Sequence, residues 1–306
     1  MPVPFEAFAD KRVLFTTEAA AYGDGRPGYP DRVYELLVER CRLGAGTRVL
    51  EIGPGTGQAT IELLRRGAVV NAVELGAELA GELRDRCPSD RLTIEVGPFE
   101  ERVDDGRRFD VVSAATSFHW VPVERGLEQV VRVLEPQGWL ALWWTVFGDP
   151  DRHDPFDDAL QPVLRRTAPT LLNPAFMAGV HPYALDSMTR IGEIDATRCF
   201  GPVHHEVVAW TGVHTASELR ALFATFSPWL ALPQPEREAA LDAIEQLAAD
   251  EFDGRVERSY LTPVYLAQRS ASTADDHPQG TGPFQRSRYV VSDVGLREFG
   301  PKRPLG

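Results

Sequence analysis

Four groups of residues in this chain have types and spacings that could do chemistry. The first is Glu51-Ile52-Gly53-Pro54-Gly55-Thr56-Gly57-Gln58, which joins a short apolar run to the start of a helical pattern. Glycines between a strand and a helix let the backbone take positive φ and bring main-chain N–H groups close to a ligand. The spacing is not G-x-G-x-x-G, because Gln58 stands where the third glycine would be, so a dinucleotide pyrophosphate is not the expected ligand. The second is Glu74, which ends the apolar run Val69–Val73; a carboxylate there can accept hydrogen bonds from a ribose diol. The third is His119-Trp120 in Ala114–Val121. An imidazole with an unperturbed pKa of about 6.5 suits a general base, and an indole face suits a cation or a planar substrate. Both also read as structure, a hydrogen-bonded strand-end histidine and a tryptophan packed under the next helix. The fourth is Arg26, in the Gly- and Pro-rich stretch from Tyr22 to Pro30, which could pair with a carboxylate or simply be a surface arginine.

The elements that must position these groups follow from periodicity. Asp31 is read as the cap of a helix bearing Val33, Leu36, Leu37 and Cys41 on one face and ending at Gly44. Arg48–Ile52 reads as a buried strand, and a helix from Gln58 stops at Gly67. A helix over 76–86, strands over 92–96 and 109–113, a helix over 123–134 stopped by Pro136, and a strand over 139–146 continue the alternation. Such alternation predicts right-handed crossovers and a parallel sheet covered on both faces, with its ligand at the carboxyl ends of the strands. Residues 148–200 break the pattern with repeated prolines, and a segment this long has its own structure or a function. Its Asp151, His153, Asp154, Asp157 and Asp158 invite a metal reading, but a solvated acidic helix start is the stronger one, and no metal site is expected. A strand over 203–210 follows, in which His204 and His205 face opposite sides and cannot share a metal. Thr215 and Glu218 form a capping box, a further helix covers about 235–250, and a final strand lies in 255–269. From Ser270 the chain is polar and of low complexity, as in a disordered tail.

Composition narrows the function. The 306 residues are 43% hydrophobic and 25% charged, enough for a sizeable core. A net charge of −13 argues against a large nucleic-acid or anionic-membrane footprint. Three scattered cysteines give neither a disulfide framework nor a zinc site. The N-terminus lacks the basic start and apolar core of a signal peptide, and the apolar run 139–147 is too short to span a bilayer. A cytoplasmic enzyme is expected.

Taken together, Glu51-Ile52-Gly53-x-Gly55-x-Gly57 followed by Glu74 resembles class I S-adenosylmethionine-dependent methyltransferases, and the Ser117-x-His119-Trp120 loop resembles their trans-aconitate methyltransferase-like, small-molecule subgroup. The resemblance implies an α/β fold with a doubly wound, seven-stranded, mostly parallel sheet and an inserted helical cap. It implies a lid and helix over 1–44, a cofactor-binding core over 45–147 and 201–269, a substrate cap over 148–200, and a tail over 270–306. S-adenosyl-L-methionine is the implied cofactor, contacted by Tyr22, Arg26, Glu51, Gly53, Gly55, Gly57, Gln58, Glu74, Leu75, Pro98, Phe99 and Thr116. Relatives usually carry an Asp where this chain has Pro98, so the usual side-chain contact to the adenine amino group is missing, and Phe99 is expected near the purine. His119 is the implied catalytic base, and His119, Trp120, Trp144, Phe176 and Tyr183 the implied substrate contacts. The expected reaction is methyl transfer to an O, N or C atom of a small molecule, with secondary metabolism as its expected setting. A cofactor-binding protein without turnover, and a protein or RNA methyltransferase, stay open as alternatives.

Overall fold

A computed structural model describes residues 25–172 and 183–271. Its centre is an eight-stranded sheet in the order β3-β2-β1-β4-β5-β8-β6, with β7 paired to β8. Strands β1 (Arg48–Ile52), β2 (Val69–Glu74), β3 (Leu92–Val96), β4 (Phe109–Ala115) and β5 (Leu134–Trp143) are parallel. The direction reverses with β8 (Arg255–Gln268), which runs antiparallel to β5, to the two-residue β6 (Val146–Phe147) and to β7 (His204–Thr215). β6 is the strand beyond the seven expected. Because β1 is flanked by β2 on one side and β4 on the other, strand order switches between β1 and β4, and a crevice opens at their carboxyl ends.

Helices cover both faces. α1 (Asp31–Cys41), α2 (Gln58–Arg65) and α3 (Ala77–Arg86) bury Leu36, Leu37, Leu63 and Leu83 against Val49, Val70, Val111 and Trp143. On the opposite face α4 (Val123–Val133) sets Leu127 and Val130 against Leu50, Val112 and Leu140. This two-sided cover explains why Val49, Leu50 and Ile52 are apolar without alternation: residues 49–52 are all buried, Glu51 among them.

Two local readings change. Pro136 does not stop a helix; it lies inside β5, which begins at Leu134 directly after α4. The register between β4 and β5 shifts between Phe109 and Val111, and Gln137 takes φ 65°, so Pro136 sits in an irregular stretch where a missing N–H costs no ladder bond. The rim loop after this strand therefore starts at Trp144. Asp31 does not cap α1 either: Pro30 holds the cap position with no side-chain bond, and the helix closes on Arg42 at φ 57° before Gly44. The capping box of Thr215 and Glu218 is present at the start of α7 (Ala216–Ala224).

Residues 148–200 divide between two surroundings. α5 (Pro155–Thr167) buries Phe156, Leu160 and Leu164 with Leu219 and Leu222 of α7 and Leu241, Ile244 and Leu247 of α8 (Gln234–Glu251). α6 (Ser187–Ala196) instead packs Ile194 into the core beneath α4. Asp154 caps α5 by accepting from the N–H groups of Phe156 and Asp157, and it also meets Nε of buried Arg258 at 3.1 Å. The acidic helix start is thus the cap and ion-pair partner of a core arginine. The expected tail beyond residue 271 and the segment 1–24 lie outside the described residues.

Candidate active site

The glycine turn adopts the backbone its sequence demands. Gly53, Gly55 and Gly57 have φ of 60°, 58° and 97°. A Cβ on Gly53 would stand 2.8 Å from Cβ of Ser117, and one on Gly57 would stand 2.7 Å from Cδ1 of Leu83. Glu74 locks the turn from the neighbouring strand: its Oε2 accepts from Gly55 N and its Oε1 from Gly76 N, both at 3.0 Å. Burial raises the pKa of this carboxyl, and the amide donors pull it back. With backbone donors from Gly55, Gly76 and Leu75 on about four lone-pair sites, the carboxylate keeps room for a further donor.

A cleft with about 1200 Å³ of empty space, part of it open to solvent, lies over this turn. Its β1–β3 side is formed by Gly53, Pro54, Gly55, Gln58, Glu74 and Leu75, with Leu79, Gly97, Pro98, Phe99 and Glu100. A carboxylate with spare lone pairs beside the apolar Val73, Leu75, Leu79 and Phe99 fits a nucleoside, its ribose on Glu74 and its base against the apolar wall. Phe99 is 3% exposed, so it is at once a core residue and part of the wall.

The β4–β6 side carries Thr116, Trp120, Thr145 and Phe147, met by Arg26, Pro27 and Tyr29 from the segment before α1. Tyr29 Oη donates to Thr116 Oγ1 at 3.0 Å. Arg26 stacks over the rings of Phe147 and Phe226, 4.8 and 5.1 Å from their centroids, and its Nη2 donates to the Thr225 carbonyl at 3.1 Å. A Cβ on Gly25 would lie 2.4 Å from the Ala221 carbonyl oxygen, so the chain can reach α7 this closely only without a side chain. These contacts hold the entering segment across the cleft.

Several expected residues sit elsewhere. Glu51 is fully buried beneath the turn and does not line the cleft; its Oε2 accepts from Thr60 Oγ1 at 2.7 Å, tying α2 to β1, and burial raises its pKa to about 7. Gly57 caps α2 behind the wall. His119, Trp144 and Tyr183 form an aromatic group off the cleft's lining: the His119 ring is 4.7 Å from Trp120 and 6.1 Å from Tyr183, and Trp144 is 3% exposed. The Trp144 Nε1–H donates to His119 Nδ1 at 3.1 Å. That bond leaves the imidazole proton on Nε2, where a neutral histidine donates rather than accepts. Burial first, and Arg26 second, lower its pKa to about 4. In this bond pattern Nδ1 is occupied and Nε2 carries the proton, so the neutral ring presents a donor at Nε2. Tyr22 and Phe176 lie outside the described residues.

Sequence reasoning passed over Tyr29, Thr145, Phe147 and Glu100. Tyr29 had a signal, since it belongs to the Arg26-Pro27-Gly28-Tyr29-Pro30 run; Phe147 looked like the end of an apolar strand. Among the described residues, no group of three or more His, Cys, Asp or Glu is placed to hold a metal, and no helix is long and apolar enough to cross a membrane.

Comparisons with known proteins agree with this geometry. A sequence model of the methyltransferase domain matches residues 50–142. An uncharacterized methyltransferase of Mycobacterium tuberculosis (strain H37Rv) is 29% identical over 240 residues, covering 78% of this chain and 87% of that protein. An uncharacterized methyltransferase of Schizosaccharomyces pombe is 24% identical over 260 residues, covering 83% and 96%. Among solved structures, the phosphoethanolamine N-methyltransferase 2 of Haemonchus contortus in complex with S-adenosyl-L-methionine is similar in fold, with a TM-score of 0.51, 18% identity, and coverage of 88% of this chain and 60% of that one.

Proposed function

We propose that this chain, a class I S-adenosylmethionine-dependent methyltransferase, methylates a small molecule that enters beside Arg26, Thr116 and Trp120. The observation that carries the reading is the pair of contacts holding the entering segment over the cleft, Tyr29 to Thr116 and Arg26 to Thr225. A site crossed in this way suits a compact acceptor better than a polymer. The net charge of −13 supports the same view, since a nucleic-acid groove needs clustered Lys and Arg, and it gives no purchase on an anionic membrane.

The bound cofactor supplies an electrophilic methyl group on its sulfonium. Glu74 would hold the ribose hydroxyls, and Leu75, Leu79 and Phe99 would wall the base and exclude water. Pro98 offers no side-chain acceptor to the adenine amino group. Arg26, a cation on the wall of the acceptor side, favours an acceptor bearing a carboxylate. His119, neutral with its proton on Nε2, backs Trp120 as a positioning group. With no histidine base, the reading favours a nucleophile that arrives without a proton, so that catalysis is mainly orientation and desolvation. The three free thiols support a reducing compartment, in keeping with the cytoplasm.

The test is calorimetry of the full chain with S-adenosylmethionine and S-adenosylhomocysteine, followed by release of S-adenosylhomocysteine across a panel of small carboxylates, phenols and amines. Turnover of a small carboxylate is expected. Binding with turnover only on peptides or RNA would overturn the acceptor class, and binding without any turnover would leave a cofactor-binding protein.

A further inference from the structure

The cleft has two ends, and topology separates them. Neighbouring strands lie about 4.8 Å apart, so β4 is roughly 10 Å and β5 roughly 14 Å from Glu74 on β2. Were Glu74 to hold the ribose of the cofactor, the cleft wall at β4 and β5, with Thr116, Trp120 and Thr145, would be left for the acceptor.

Thr116 stands at that end in a conformation that needs explaining. It is a β-branched residue at φ 55°, a region that costs about 1–3 kcal/mol for such a side chain and persists only where its surroundings enforce it. Three contacts enforce it. Thr116 N donates to the Trp143 carbonyl at 2.8 Å, Thr145 N donates to Thr116 Oγ1 at 3.1 Å, and Tyr29 Oη donates to the same oxygen at 3.0 Å. Both lone pairs of Oγ1 are thereby used, and its proton has no acceptor among the described residues. A threonine hydroxyl is ordinarily donor and acceptor at once; here Tyr29 and Thr145 make it a dedicated donor on the cleft wall. The Thr145 Oγ1 beside it is buried and has no hydrogen-bond partner among the described residues.

We propose that Thr116 selects and orients the acceptor, its hydroxyl donating to a lone pair on an oxygen next to the atom that is methylated. This rests on the small-molecule reading above. Acceptors lacking such an oxygen are then disfavoured, and Tyr29 acts through Thr116 as a positioning residue that keeps the hydroxyl aimed as a donor. The competing role, a contact to the cofactor itself, makes a different prediction, and S-adenosylhomocysteine separates the two.

The experiment compares the full chain with Thr116→Val, which keeps the branched shape, Thr116→Ser, which keeps the hydroxyl, and Tyr29→Phe. Calorimetry with S-adenosylhomocysteine is expected to give affinities within twofold of wild type in all three. A crystal structure of the wild type with S-adenosylhomocysteine is expected to show a water accepting from Thr116 Oγ1 that Thr116→Val lacks. With the carboxylate turned over best in the panel, Thr116→Val should lose tenfold or more in kcat/KM, Tyr29→Phe a smaller amount, and Thr116→Ser should stay within threefold of wild type. A tenfold loss of S-adenosylhomocysteine affinity in Thr116→Val alone would put the hydroxyl on the cofactor and overturn the proposal. So would unchanged kcat/KM in that variant. A wild type that methylates only polymers overturns the small-molecule reading instead, and the binding comparison then still decides whether the hydroxyl faces the cofactor.

Discussion

The indole N–H of Trp144 donates to Nδ1 of His119, and this one bond decides what the histidine can do. An indole nitrogen only donates, so Nδ1 must carry a lone pair and Nε2 the proton. Trp144→Phe removes the donor that stabilises the neutral ring. Because burial and Arg26 hold the His119 pKa down, the ring should stay neutral at pH 7 in this variant, seen in the NMR titration of the one imidazole absent from His119→Gln. A titration that moved up to the ordinary histidine value would make the Trp144 bond, rather than burial, the main cause. The stability cost should be about 1–3 kcal/mol, that of a buried acceptor left unpaired.

His119 also ties stability to pH. Its folded pKa lies below the unfolded value, so between pH 6.5 and 4 the unfolded chain binds the extra proton. Its stabilising contribution is complete above pH 6.5 and is lost as the pH falls toward 4, up to roughly 3 kcal/mol. Denaturant melts of wild type and His119→Gln between pH 4 and 7 should show a shallower pH slope in the variant; parallel slopes would refute the assignment.

Glu74 joins the turn to the expected ribose contact. Glu74→Gln keeps the shape but offers only one oxygen, and its NH₂ group faces a backbone N–H. Affinity for S-adenosylhomocysteine should fall at least tenfold by calorimetry, with a smaller loss in the melting temperature of the ligand-free protein. Retained affinity would remove Glu74 from the site.

Gly53 is held by two separate constraints, a positive φ and the approach of Ser117. Gly53→Ala should destabilise the protein by about 1–3 kcal/mol and abolish cofactor binding. Adding Ser117→Gly relieves the contact but not the φ, so it should restore part of the stability. Full restoration would show that the backbone angle costs nothing.

Arg258 pins the helical layer to the sheet. It is 7% exposed, with Asp154 at 3.1 Å and Asp157 at 2.8 Å. Arg258→Met leaves Asp154, also the cap of α5, without its counter-charge, and should cost about 3–5 kcal/mol in thermal melts. A loss below 1 kcal/mol would show that water compensates the carboxylates.

The glycine turn and the acid that locks it were legible because their requirements are local. A strand, a turn that only glycine can form, a helix start and an acid ending the next strand are consecutive features of the chain, and each is dictated by backbone geometry or by one side chain's valence. The parallel sheet was legible for the same reason, since alternating periods leave few topologies. The boundary at Pro136 was not, because a bulge that excuses proline depends on a partner strand's register.

The acceptor half was written nowhere in one place. Thr116 looks like any threonine at a strand end until Tyr29, far upstream, and Thr145, downstream, both donate to it. His119 carries a base's chemistry in the sequence, and only Trp144 folded against it makes it a donor. Sequence by itself determined the fold and the glycine turn with its acid, because periodicity and turn geometry are properties of neighbouring residues. Tertiary structure decided which hydroxyl donates and which imidazole nitrogen is protonated, because a polar group's role is set by the partners that occupy its remaining valences.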